Sequence, residues 1–296
     1  MRFLVFFFGL MLLSSCSRYA NYLHLTPSDR KFRRAFEDAP VQPEIGYLAS
    51  GGRRIRYVTV GADSLPTTIL IHGSPSTAYR FRAWLRDSAI YKKTRLVAID
   101  RPGYGRSNRG KAEISIARQA ELLAPILAKF ADKHPVVLLG KSYGGSVATR
   151  LAMDHPDQVG GLMLVSASVE PNAEKTPRFT KKLVHPGTRW LFPKVLRVAA
   201  KEKLNHSKAL SEIENDWPCV TCPTWVLHGC ADRLIYYRNA EFACRKLVNS
   251  DVTFIPFDAL RHNLFSMQTD SVRHYLLEAV KHCEPRAEIS GLVPTK

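Results

Sequence analysis

Two kinds of hydrophobic stretch alternate along the chain. Ile45 to Ala49 and Ile55 to Val60 interleave apolar with polar or small residues, the pattern of strands near a half-covered, antiparallel edge. Six later runs are short and continuously apolar: Thr68 to Ile71, Leu96 to Ile99, Val136 to Leu139, Leu162 to Val165, Trp225 to Leu227 and Val252 to Ile255. Runs of that kind suit parallel strands covered on both faces. Segments with helical spacing lie among them, at Tyr79–Ala89, Ile116–Ala131, Ser146–His155, Asn239–Val248 and Ser271–Lys281. This alternation predicts an α/β fold with one eight-stranded, mostly parallel, doubly wound sheet. In such sheets ligands bind beyond the C-terminal ends of the strands.

One interval breaks the rhythm. More than fifty residues separate the strand that ends near Ser168 from the strand that begins at Trp225, where a single helix would suffice. Residues 170–216 are therefore read as a helical cap inserted after the sixth strand. The core is 44–169 plus 217–285, and 286–296 form a tail. Residues 16–43 read as a tether and a short basic helix, with Ser28 or Asp29 as its cap.

Composition agrees with one large domain: 296 residues, 45% of them hydrophobic. The charge adds something new. Net charge is +17, and residues 171–210 hold ten Lys/Arg against two Asp/Glu. No zinc-finger, RRM, KH or basic-zipper pattern accompanies it, so no nucleic-acid partner is expected. The remaining readings are a solvated basic face, or a surface that attracts an anionic membrane or substrate.

The first residues read as an address. Met1-Arg2 is a short positive start and Phe3 to Leu13 an apolar stretch, shorter than the roughly 20 residues needed to span a bilayer. Leu13-Ser14-Ser15-Cys16 then resembles a bacterial lipoprotein signal. That resemblance implies a signal sequence over 1–15, lipidation of Cys16 and attachment to the cell envelope facing the periplasm. Ser17 after the cysteine favours the outer membrane. Five cysteines remain, Cys219, Cys222, Cys230, Cys244 and Cys283, an odd number that cannot all pair internally. Cys219 and Cys222 form a C-x-x-C, but Cys222-Pro223-Thr224 leads directly into an apolar strand. No metal or redox site is expected there.

The chemistry centres on 136-VVLLGKSYGGS-146. A phosphate-binding loop would need a glycine at Pro135 and a glycine-rich turn where Val136 to Leu139 stand, so that reading fails. Gly140-Lys141-Ser142-Tyr143-Gly144 instead matches G-x-S-x-G between a strand and a helix, which makes Ser142 a candidate nucleophile on a sharp turn. A serine hydroxyl needs a base, and the base an orienting carboxylate. Asp232 follows the seventh strand and His262 the last, giving the chain order Ser142, Asp232, His262. Glu170, after the sixth strand, is an alternative acid. An oxyanion hole would use the N–H of Tyr143 and that of Ser74, since Gly73 lets the loop fold inward and Pro75 has no N–H. His72 is read as a structural support for that loop.

These segments, with Asp100-Arg101-Pro102-Gly103-Tyr104-Gly105-Arg106-Ser107, resemble the α/β-hydrolase superfamily over about Ile45 to His282. More narrowly, they resemble its capped, esterase-type serine members. The resemblance implies Ser142 as nucleophile, His262 as base and Asp232 as acid, with no cofactor and a small acyl substrate. An ester is favoured over an amide or thioester. Relatives acting as dehalogenases or epoxide hydrolases carry aspartate at the nucleophile position, so serine argues against those reactions. Carbon–carbon bond hydrolysis with the same triad, and a non-catalytic binding protein of this fold, are the alternatives. Lys141 departs from the histidine many relatives carry before the nucleophile, and its side chain is expected to point away from the attacked carbonyl.

Overall fold

The computed structural model describes residues 27–283 apart from 172, 174 and 175. The signal sequence, Cys16 and the tail 286–296 lie outside the described residues. Eight strands form one sheet: β1 (Glu44–Ser50), β2 (Arg53–Val60), β3 (Thr67–Ile71), β4 (Arg95–Ile99), β5 (Val136–Lys141), β6 (Val159–Val165), β7 (Thr224–Gly229) and β8 (Val252–Phe257). Their order is β1-β2-β4-β3-β5-β6-β7-β8. β2 runs antiparallel to both neighbours, and all later pairings are parallel. The C-terminal ends of β3 to β8 therefore share one rim.

Five longer helices and one short one carry the layers. They are α1 (Asp29–Arg34), α2 (Ile116–Phe130), α3 (Tyr143–Asp154), α4 (Lys194–Ser211), α5 (Arg238–Lys246) and α6 (Thr269–Lys281). The two faces of the sheet bury separate apolar clusters. Val136, Leu138 and Leu162 point toward α2 and α3, while Val137, Leu139 and Met163 point toward α1 and α6. This strict alternation along continuously apolar strands explains why their sequence showed no period of two: both faces are dry.

Two expectations need correction. The helix expected over Tyr79–Ala89 is three short turns, Ala78–Phe81, Arg82–Leu85 and Ser88–Tyr91. Asp87 interrupts it, because its side chain accepts a hydrogen bond from the Ala89 N–H and starts a new turn. The last strand is not covered on both faces either. β8 is the sheet edge, with Thr253 and Phe254 exposed, and Pro256 fits there because an edge strand leaves its outer N–H groups unused.

The helix before the sheet is part of the core. Ser28 caps α1 through the Lys31 N–H, while Phe32 and Phe36 are fully buried against the sheet. Asp29 accepts from Arg56 Nε at 2.8 Å and from the Tyr47 hydroxyl at 2.6 Å. The interval 170–216 holds 3-10 turns at Arg178–Leu183, Arg189–Leu191 and Glu214–Cys219, together with helix α4. The five cysteines from Cys219 to Cys283 are free thiols, and burial pushes Cys222 up to about 11.

Candidate active site

Ser142 joins β5 to α3 with φ 53° and ψ −126°, a conformation that L-residues rarely adopt and that stores roughly 1–3 kcal/mol of strain. Three backbone hydrogen bonds hold it. Its N–H donates to Val165 O at 3.1 Å, and its carbonyl accepts from Gly145 N–H at 2.8 Å and Ser168 N–H at 3.1 Å. The flanking glycines are required by contact. A Cβ on Gly144 would lie 2.2 Å from Ile71 O, and one on Gly145 would lie 2.4 Å from the Ala167 Cβ. α3 thus begins at Tyr143, three residues before the start expected from the sequence, because these glycines let the helix press against β3 and β6. The Ser142 hydroxyl does not cap the helix, which leaves it available at the rim.

The loop after β3 closes over that hydroxyl. A Cβ on Gly73 would sit 2.9 Å from the Ser142 Cβ and 3.4 Å from its Oγ. Ser74 follows Gly73 directly in the chain, so the loop that carries it runs beside Ser142. His72 fixes the loop from beneath. Its Nδ1–H donates to Gly73 O at 2.7 Å and its Nε2 accepts the Arg101 N–H at 3.0 Å. Burial, aided by the Arg101 charge, holds this ring well below the usual histidine range, so it stays neutral.

Across the rim, the loops after β7 and β8 interlock. Ala231 N–H donates to Leu260 O at 3.1 Å, and a Cβ on Gly229 would lie 2.3 Å from the same oxygen. This brings Asp232 to His262, with Oδ2 accepting from Nδ1 at 2.8 Å. The other oxygen, Oδ1, accepts from the N–H groups of Leu234 and Ile235, each at 2.9 Å. Burial raises the Asp232 pKa, but the His262 hydrogen bond and these N–H donors outweigh it and leave it below the ordinary value. Both carboxylate oxygens are occupied, so the imidazole is held with Nδ1 inward and Nε2 outward. Among the described residues no hydrogen bond joins His262 to the Ser142 hydroxyl. Contacts of this kind commonly tighten only once substrate is bound. Glu170 is engaged elsewhere, in a two-point pair with Arg238 at 2.6 and 2.9 Å.

A buried ionic cluster went unnoticed in the sequence. Glu202 of α4 and Arg101, just past β4, are both fully buried and meet at 2.7 Å. Glu202 also accepts from the Tyr104 hydroxyl at 2.5 Å and from Gln119 Nε2 at 3.2 Å. Because Tyr104 donates to Glu202, its oxygen is left to accept from the Ser74 hydroxyl at 2.7 Å. Arg101 donates in turn to the carbonyls of His72 and Gly73, at 2.8 and 3.2 Å. One carboxylate on the cap helix thereby ties down the loop that carries Ser74. The available signal was a lone acid in a strongly basic helix, which reads as a surface residue until the fold turns it inward.

Lys141, before Ser142, is mostly buried, with Nζ 5.5 Å from the centre of the Phe265 ring. Burial and nearby Arg80 push it down to about 8, against a smaller opposing pull from Asp232.

A sequence profile described as the alpha/beta hydrolase fold matches residues 66–206, from just before β3 into α4. Over that span the chain is similar to the α/β-hydrolase family, and the eight-stranded sheet has the α/β-hydrolase fold. Among curated proteins it is similar to a pimeloyl-[acyl-carrier protein] methyl ester esterase of Edwardsiella ictaluri, 35% identical over 121 residues, or 41% of each chain. It is also similar to epoxide hydrolase 4 of Mus musculus, 29% identical over 146 residues, or 46% of this chain and 40% of that one. The chain thus covers less than half the length of these relatives. A solved membrane phospholipase A superposes with TM-score 0.65 at 23% identity, over 93% of this chain and 98% of its own, a likeness of fold.

Glu202→Leu should lower stability by about 3–5 kcal/mol, because it leaves Arg101 charged without its carboxylate partner in the interior. Urea denaturation of the two proteins measures the difference. Lys141 gives a pH-dependent test. Its folded pKa lies below the unfolded value of about 10.4, so the folded state is penalised while the amine is charged. Lys141→Met should therefore raise the melting temperature fully below about pH 8, with the gain fading as pH rises through about 8 toward 10.4. Melting curves across that range check both the sign and the window.

Proposed function

We propose that this chain is a serine hydrolase that cleaves carboxylic esters through an acyl-enzyme. The observation that carries the reading is the Asp232–His262 hydrogen bond at 2.8 Å, on the same rim as a serine held at φ 53°. Ser142 Oγ attacks the acyl carbonyl while His262 Nε2 takes its proton, and Asp232 stabilises the resulting imidazolium. The tetrahedral oxyanion rests on the N–H groups of Tyr143, at the positive end of α3, and of Ser74, beneath which Arg101 and His72 hold the loop. His262 then gives its proton to the leaving alkoxide, and water resolves the ester on Ser142 by the same path. The similarity to a methyl ester esterase supports an ester over other acyl groups. A fluorophosphonate probe should label wild type at Ser142 and leave Ser142→Ala unlabelled. Asp232→Asn should lower kcat on p-nitrophenyl esters by about four orders of magnitude. A chain that neither labels nor turns over any graded-length ester would end the proposal.

The same reading places the enzyme at the bacterial envelope through lipidated Cys16, supported by the apolar run Phe3 to Leu13 directly before Leu13-Ser14-Ser15-Cys16. Several acyl chains on one cysteine would anchor it stably. In fractionated cells the wild type should sediment with membranes and incorporate labelled palmitate, whereas Cys16→Ser should incorporate none.

A further inference from the structure

The cap and the loop after β4 enclose an unassigned cleft of about 310 Å³. Six of its lining residues are cations: Arg109, Lys111, Arg189, Lys194, Arg197 and Lys201. Among the described residues no carboxylate lines it. The acid of this helix, Glu202, is turned inward and consumed by Arg101, so α4 presents its positive charge outward without compensation from its own buried carboxylate. Beside Arg189 stand Trp190, 73% exposed, and Leu191, 48% exposed, while Phe179, on the 3-10 turn packed against α4, is 62% exposed. Trp190 is the exposed member of the four tryptophans; Trp84, Trp217 and Trp225 are buried. Cations collected in a concave site, with large apolar side chains on its margin, are the combination that adsorbs to an anionic bilayer surface.

The path of the N-terminal chain points the same way. Asp29, the first residue of α1, is bonded to Arg56, and the Arg56 N–H and guanidinium bond Ser107 and Asp100 at 2.8 and 3.2 Å. Asp100 to Lys111 is the loop that walls the cleft, and Gly110 packs against the Lys194 side chain. The N-terminal end of α1, which residues 1–26 precede in the sequence, thus lies beside this loop.

We propose that the basic cleft of the cap, flanked by Trp190, Leu191 and Phe179, is a docking surface for anionic phospholipid headgroups in a bilayer. The surface then turns the Ser142 rim toward the membrane. This deepens the envelope-anchored reading and rests on it for location, while the charge of the cleft stands apart from the chemistry at Ser142.

The test uses the full-length Cys16→Ser chain at limiting lipid, with vesicles of phosphatidylcholine alone or with about one-third phosphatidylglycerol. Any contribution of the N-terminal apolar run is then shared by every variant and both vesicles. Binding should favour the anionic vesicles and weaken with salt. Lys194→Gln with Arg197→Gln should reduce binding to the anionic vesicles about 25-fold, roughly five-fold per charge, with ester turnover in solution unchanged. Brominated acyl chains should quench the parent's tryptophan fluorescence, and the quenching should vanish in Trp190→Phe. Equal binding to both vesicles, or a double variant that binds like its parent, overturns the proposal. So does full displacement by glycerol 3-phosphate at constant ionic strength, which would assign the cleft to a soluble anion. Fluorophosphonate labelling without vesicles separates the two readings: a labelled chain indifferent to phosphatidylglycerol loses only the docking surface, and an unlabelled chain that prefers it loses only the hydrolase.

Discussion

Everything at the rim depends on how closely α3 and the loop after β3 approach one serine backbone. Ser142 is held in a strained conformation by hydrogen bonds to Val165 of β6, Ser168 just past it and Gly145 of α3, while Gly73, Gly144 and Gly145 remove the atoms that would hold neighbours away. Strain at a single residue persists only when its surroundings over-determine it. Here the surroundings are buried layers: the apolar strands β3, β5 and β6 on one side and the α3 packing face on the other. A side chain on those glycines would collide with the Ser142 Cβ, with the Ile71 carbonyl or with the Ala167 methyl group, and little there can yield. The serine hydroxyl is thereby fixed by core packing and needs no hydrogen bond of its own.

The second constraint couples the cap to that arrangement. Arg101 is surrounded by acceptors: the carbonyls of His72 and Gly73, Gln119 Oε1 and the carboxylate of Glu202. Burial alone would make a guanidinium easier to deprotonate, yet the attraction of Glu202 raises its pKa above the ordinary value. The pair is therefore charged, desolvated and fully hydrogen-bonded, the condition under which a buried ion pair is tolerated. Its consequence is geometric. The cap is held to the core by a set of directional bonds, and the Ser74 loop is held by those same bonds. A cap displaced enough to break Arg101–Glu202 would also release the Tyr104 hydroxyl that Ser74 bonds.

The sheet was legible in the sequence because its signal is local. Each apolar run became a strand at nearly the expected residues, and G-x-S-x-G fell at a strand-to-helix turn as its glycines require. Asp232 and His262 could be placed at strand ends, and the hydrogen bond between them follows from the adjacency of β7 and β8. What could not be read depends on contacts far apart in the chain. Glu202 and Arg101 are 101 residues apart and identify each other only once the cap has folded back. The exposure of β8 follows from its being last in the sheet order, which its apolar residues do not reveal. The broken helix after Thr77 was hidden by good helical spacing, because Phe81, Trp84, Leu85 and Ile90 do all bury, but on successive separate turns.

Charge separates by depth in this molecule. The acids with structural work, Asp29, Asp100, Glu202 and Asp232, each meet a cation or an imidazole within the fold, and Asp100 also accepts the N–H groups of Ala78 and Arg106. With these carboxylates engaged within the fold, the described lining of the cap cleft holds six cations and no acid, which concentrates positive field there in a chain of net charge +17. The same inward demand explains why α4 is amphipathic in charge as well as in hydrophobicity: Val195, Val198 and Glu202 face the core, and Lys194, Arg197 and Lys201 face outward one turn apart. The residue that ties the cap to the core thus also sets which face of α4 turns its cations outward.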